Sequence, residues 1–181
     1  MSRRAAPKAK RTAACRAKVF RMSRRARLLP VLVAVTAATV VAGLGGLMTD
    51  LSAWYYNLAQ PSWKPPDWLF GPAWTVIFAL AAAAGVTAWR AAPNRAERVW
   101  MLALFALNGV LNVAWTALYF RARRPDWALI EVGLLWLSVL VLMLVLGRYA
   151  RITRLLLAPY LVWISFAAAL NWGTVQLNAP F

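Results

Sequence analysis

The chain contains no histidine, and that absence removes His-ligated haem, Ser-His-Asp triads and most catalytic zinc sites together. Its one cysteine, Cys15, lies in a basic leading segment, which leaves neither an internal disulfide nor a cysteine metal cluster. Acids are scarce: Asp50, Asp67, Glu97, Asp126 and Glu131 stand against 21 Lys and Arg. Four of these five fall in loops or at expected helix ends. Glu131 alone sits inside an apolar run, one turn in, where its carboxylate is expected to reach the membrane interface rather than serve a proton relay. Hydrolytic chemistries therefore find no catalytic set here, and neither a catalytic nor a metal-ligating residue is assigned.

What fills the chain instead is apolar. Of 181 residues, 62% are hydrophobic and the mean hydropathy is +0.58, far above the usual share for a soluble domain. The net charge of +16 is unevenly placed, because eleven Lys and Arg precede Leu28 and no acid accompanies them. A nucleic-acid partner is not expected, since such proteins carry their charge on a folded face. Residues 1–27 read as a basic tail, expected to be disordered. On anionic lipid a polybasic arm is worth about 1 kcal/mol per cation. Met22 opens MSRRA, the five residues that also open the chain at Met1, so Met22 is an alternative start.

Five apolar runs follow, at about 28–49, 68–89, 99–120, 127–147 and 155–175, each long enough for the ~30 Å hydrocarbon core. The expected fold is all-α, a five-transmembrane-helix bundle over residues 28–178. The first run also resembles a signal peptide, but its length favours a retained helix. Gly43, Gly45 and Gly46 near its end permit close approach or early unwinding. Pro159 is expected within about the first turn of the fifth span, where a missing donor costs little. Asn108 and Asn112 lie four apart on one face of the third span, with Trp115 and Thr116 on or beside it. Two readings stand for these amides: interhelical glue, or a polar stripe facing a ligand. On the fifth span Trp163, Ala167, Leu170 and Asn171 share a face.

Between the first and second spans, Trp54–Thr75 (WYYNLAQPSWKPPDWLFGPAWT) packs four Trp, two Tyr and four Pro into 22 residues. Proline density argues against one regular helix, and the segment is too apolar for a solvated linker. Trp and Tyr suit the membrane–water interface. An ordered aromatic lid over a helical bundle and a ligand-free interfacial anchor both fit that composition. An odd number of spans puts the termini on opposite sides. With the N-terminus cytoplasmic, 17 Lys and Arg fall inside and Lys64, Arg121, Arg123 and Arg124 outside, in keeping with the positive-inside rule.

The aromatic segment resembles the first loop and second helix of the TspO/MBR family, the tryptophan-rich sensory proteins related to the mitochondrial translocator protein (peripheral benzodiazepine receptor). LNGVLNVAWTALYF (107–120) resembles the family's third helix with its Asn-x-x-Trp pattern. DWALIEVGLLW (126–136) is similar to the start of the fourth helix. APYLVWISFAAALN (158–171) resembles the Pro-Tyr-x-x-Trp start and terminal Leu-Asn of the fifth. Together with the five spans, these cover about 28–178.

The resemblance implies a homodimeric membrane receptor or sensor that binds tetrapyrroles such as protoporphyrin IX or haem. The cavity lies between the helices under the first loop, and the function is to tune tetrapyrrole metabolism or a stress response. Some members bind sterols or benzodiazepine-type drugs. No basic residue follows Arg154, so the family's sterol pattern near the fifth helix is incomplete here. Carried over by position, the pocket residues are Trp54, Tyr55, Trp63, Pro65, Pro66 and Trp68 of the lid, and Trp74 on the second helix. Asn108, Asn112 and Trp115 come from the third helix, Trp127 from the fourth, and Trp163, Ala167, Leu170 and Asn171 from the fifth. Lys64 is placed to pair with a propionate. No covalent cofactor is implied. With no His and with Cys15 outside the bundle, iron has weak axial partners apart from Tyr, so metal-free porphyrin is expected to bind at least as well as haem. Two alternatives accompany the receptor: an enzyme degrading porphyrin in light, and a transporter of porphyrin or another amphiphile. The transporter lacks support from an inverted repeat or a central charge. The sequence leaves open which membrane is used.

Overall fold

The computed structural model describes residues 24–181, with side chains from Leu28 onward; the basic segment before residue 24, Cys15 and Met22 included, lies outside the described residues. Five long helices carry the fold: α1 (Arg24–Met48), α3 (Phe70–Ala91), α4 (Arg95–Thr116), α5 (Pro125–Tyr149) and α6 (Ile152–Asn178), with a short α2 (Ala53–Asn57) between the first two. No strand occurs among the described residues. All five long helices are long and apolar enough to cross a membrane.

Each helix extends a few residues past its apolar run at one end at least, because hydropathy marks the immersed part while caps fix the true ends. α1 already includes Arg24–Arg27, which the sequence assigned to the tail. α4 starts at Arg95 because Asn94 caps it, its side chain accepting from the Glu97 backbone N–H at 3.0 Å. α5 starts with Pro125 in its first turn, where a missing donor is harmless, and Asp126 there favours the helix dipole. α6 starts at Ile152, so Pro159 sits two turns in rather than near the first turn. The glycines near the end of α1 do not unwind it; the helix continues to Met48.

In space the helices close a ring in the order α1, α3, α6, α5, α4, with the α5–α6 contact the most extensive and α3 barely meeting its sequence neighbour α4. Away from the α1–α3 loop the ring is filled. Ala81, Ala84 and Ala88 of α3 let it approach Val139, Leu142 and Leu146 of α5 across the middle, with Leu157 and Ile164 of α6 completing the core. In lipid such packing rests on close van der Waals contact between small and branched side chains rather than on water exclusion. Glu131 is a correction to the sequence reading. It is 8% exposed, and neither carboxylate oxygen has a hydrogen-bond partner. It lies on the inward face of α5 with Ala128, Val132 and Leu135, so the face it occupies, not its depth, keeps it from the interface.

Candidate functional site

At the end of the ring where the α1–α3 loop sits, the helices part around a cavity of about 710 Å³. α1 contributes its small side: Val41, Ala42, Gly45 and Gly46. A Cβ on Gly46 would meet nothing within 4 Å, so the glycine leaves room rather than relieving a clash. α5 contributes nothing to the lining.

Two aromatic walls face each other. On α3 and α6, Trp74 stacks on Phe78 with ring centroids 5.1 Å apart, meets Trp163 edge-on at 6.3 Å, and Trp163 meets Phe70 at 5.6 Å. On α4 and the lid, Trp115 tilts against Tyr119 at 5.3 Å, Tyr119 lies 4.8 Å from Phe120, and Tyr55 covers Phe120 at 5.6 Å. The turn that follows α4 explains the second wall. Residues Ala117–Arg121 form a π-turn, with the Ala122 N–H reaching back to the Ala117 carbonyl at 2.9 Å. Such widened turns recur at functional sites. Here the turn brings Tyr119 and Phe120, both lining the cavity, next to Trp115.

The lid is an ordered segment with specific ties. Ala59 and Asn178 form a reciprocal pair: the Asn178 side chain accepts from the Ala59 N–H and donates to its carbonyl, both at 2.8 Å. A Cβ on Gly173 would stand 2.7 Å from Pro61 Cγ, so the lid rests directly on a glycine of α6. The Tyr55 hydroxyl donates to Asp67 Oδ1 at 2.9 Å, and the Lys64 ammonium donates to the same oxygen at 2.6 Å. Lys64 also lies over the Tyr55 ring, 4.9 Å from its centroid. Burial first, and then the bond to Asp67, pushes the Tyr55 hydroxyl well above the ordinary phenol range. The Arg121 guanidinium donates to the Leu47 carbonyl at 2.5 Å and so joins the end of α4 to the end of α1.

Three residues of the lining each carry a buried polar atom with no hydrogen-bond partner: Trp115 Nε1, Asn171 Oδ1 and Gln60 Nε2. Asn171 is oriented by its other end, whose Nδ2 donates to the Pro125 carbonyl at 2.9 Å. That leaves one indole donor and one amide acceptor at the aromatic walls, and one amide donor in the lid.

Of the residues expected from sequence, Tyr55, Trp74, Asn112, Trp115, Trp163, Ala167, Leu170 and Asn171 come together around the cavity. The others lie elsewhere. Trp54 packs behind the wall, edge-on to Tyr119 at 6.4 Å. Trp63 is half-exposed against Phe166, Trp68 is 72% exposed, and Trp127 faces outward under the Arg124 guanidinium. Pro65 and Pro66 shape the lid without lining the cavity. Asn108 faces away from the cavity, donating to Ser138 Oγ at 2.8 Å and accepting from the Tyr160 hydroxyl at 3.1 Å. Thr116, expected on or beside the Asn108–Asn112 face, lines it too, as do Gln60, Asp67, Phe70, Phe78, Tyr119 and Phe120, which the sequence reading did not assign to the pocket. Helical spacing from Asn112 reaches Thr116 and Phe120, and spacing from Trp74 reaches Phe78, so these four-residue steps carried a usable signal.

Comparison with known proteins agrees with this architecture. The TspO/MBR family profile matches residues 17–177. The chain is 41% identical over 133 residues to the tryptophan-rich protein TspO of Chlorobaculum tepidum, covering 70% of this chain and 81% of that one. It is 33% identical over 133 residues to the tryptophan-rich sensory protein of Cereibacter sphaeroides, covering 74% and 82%. It is 32% identical over 141 residues to the translocator protein of Sus scrofa, covering 74% and 83%. With five apolar spanning helices in one ring and a profile match over most of its length, the chain belongs to the TspO/MBR family and is an integral, multi-pass membrane protein.

Proposed function

We propose that the chain is a membrane receptor that holds a flat, amphipathic tetrapyrrole of the protoporphyrin type in the cavity beneath the lid. The observation that carries this reading is a cavity lined by aromatic faces and small residues, two of whose lining residues, Trp115 and Asn171, each hold a buried polar atom without a hydrogen-bond partner. A buried polar atom left without a partner costs about 1–3 kcal/mol, and a ligand that supplies the partner recovers it. A free-base macrocycle offers both ring N–H donors and ring nitrogen acceptors on one flat aromatic surface. A wholly apolar ligand offers neither. The cavity volume falls in the range of small-molecule sites. The receptor carries its lid on the non-cytoplasmic side. The opposite end of the ring holds Arg90, Arg95, Arg98, Arg148, Arg151 and Arg154 against Glu97 alone, the charge bias expected of a cytoplasmic face.

The test is Trp115→Phe, which keeps most of the ring area and removes the donor. Protoporphyrin IX binding, followed by quenching of the remaining tryptophans, is expected to weaken by about 1–2 kcal/mol. Binding of an apolar polycyclic hydrocarbon should change by less than about 0.5 kcal/mol. Equal loss for both ligands counts against a hydrogen-bonded macrocycle.

A further inference from the structure

We infer that the lid turn from Gln60 to Lys64 is a carboxylate seat, and that Asp67 occupies its cation until an acidic group on the ligand takes it over. The inference rests on the tetrapyrrole reading and adds which feature of the ligand the lid selects. The turn is closed by the Lys64 N–H donating to the Pro61 carbonyl at 3.0 Å, which brings both side chains to the cavity lining. Lys64 is 15% exposed and Asp67 31%, so the pair is largely withdrawn from water. An ammonium carries three donors, and Lys64 spends one on Asp67 Oδ1 while its remaining contact is the Tyr55 ring face. Gln60 sits in the same turn, its Oε1 accepting from the Thr174 hydroxyl at 3.4 Å and its buried Nε2 beside the Tyr119 hydroxyl, from which it can turn to a ligand. One carboxylate can take a charge-assisted bond from Lys64 and a second bond from Gln60.

Asp67 sets the selectivity. Without it, a largely buried ammonium would stand uncompensated, which is costly. With it, the ammonium is neutralised before any ligand arrives, and an incoming acid must compete with a carboxylate already in place. A neutral ligand leaves the pair intact and gains nothing from the turn. An acidic ligand gains two donors and is opposed by one negative charge. Replacing Asp67 by Asn keeps an acceptor for Tyr55 and Lys64 while removing that charge.

The experiment compares protoporphyrin IX, a diacid, with its dimethyl ester on the full chain in detergent. Lys64→Met is expected to weaken the diacid about tenfold and to leave the ester within about twofold. Asp67→Asn is expected to strengthen the diacid several-fold relative to the ester. Raising salt from about 50 mM to 500 mM should narrow the wild-type preference for the diacid and leave the Lys64→Met protein unaffected. Parallel changes for both ligands in both variants would assign Lys64 and Asp67 to lid packing and overturn the seat. If the wild-type chain bound neither ligand, the tetrapyrrole reading itself would fall. If it bound both and the variants did not discriminate, only the seat would.

Discussion

Asn108 and Asn112 lie one turn apart on α4, yet their amides serve different partners. Asn108 is enclosed by Ser138 of α5 and Tyr160 of α6, and the Ser138 hydroxyl in turn donates a hydrogen bond to the Leu135 carbonyl at 2.7 Å. Asn112 donates to the Tyr160 hydroxyl at 3.2 Å and also lines the cavity. Asn108→Leu is therefore expected to destabilise the bundle by about 1–3 kcal/mol, because Ser138 and Tyr160 each lose a partner inside the core. Thermal unfolding in detergent checks this. Asn112→Leu is expected to cost less stability and to weaken protoporphyrin IX by about 1 kcal/mol more than it weakens an apolar ligand. The shared face was legible from the four-residue spacing. Which amide faces the cavity was not, because that depends on where Ser138 and Tyr160 stand in the folded ring, 30 and 52 positions away in sequence. Glu131 teaches the same lesson. Its place one turn into the span was readable, but the inward face of α5 depends on how α5 rolls against α4 and α6.

At the scale of the element, the lid is held by its ends and by α6. Tyr55 and Lys64 converge on Asp67 at the entrance to α3, and Ala59 clasps Asn178 in the last turn of α6. Asn178→Ala removes both bonds of that clasp. They are exposed, so the expected loss is small, about 0.5–2 kcal/mol, and confined to the lid. Hydrogen exchange should speed at residues 58–62 while the helices keep their protection, and bound porphyrin should leave faster with little change in global stability. Unaltered exchange in the lid would show that Pro61 on Gly173 and the Asp67 hub suffice. The proline and aromatic density made the lid readable as an ordered, non-helical stretch. Its individual side chains were harder to place. Trp63 and Trp68 belong to the same aromatic stretch as Tyr55 and Trp74, yet they face outward, because irregular backbone lacks the fixed period that lets a helix face be counted. The π-turn after Thr116 escaped for a related reason. Four-residue spacing from Thr116 reaches Phe120, but Tyr119 lies off that step, and no residue in ALYFR announces the widened turn that holds it there.

Over the whole molecule, the ring has a packed half and an open half. α5, the helix richest in buried branched side chains, fills one part of the ring and takes no share in the cavity. α1, which carries Gly45 and Gly46 and is the least buried span, gives the cavity its floor of small residues. The five spans were readable from hydropathy alone, since each is a long apolar run with at most one charged residue, Glu131 in the fourth. The ring order was not, because α3 and α4 are adjacent in sequence and nearly separate in space. The central claim is that the open half holds a tetrapyrrole between the Trp74–Trp163 wall and the Trp115–Tyr119 wall. The measurement that tests it most directly is a tryptophan-fluorescence titration of the detergent-purified chain with protoporphyrin IX in the dark, repeated on Trp163→Ala and Trp74→Ala. The account predicts saturable quenching, weakened by about 1–3 kcal/mol in each variant through lost stacking and burial, with the bound pigment unchanged under subsequent illumination. Quenching that never saturates, or affinity that neither variant alters, would contradict it; conversion of the bound porphyrin over many turnovers in light would make the cavity an active site rather than a receptor site.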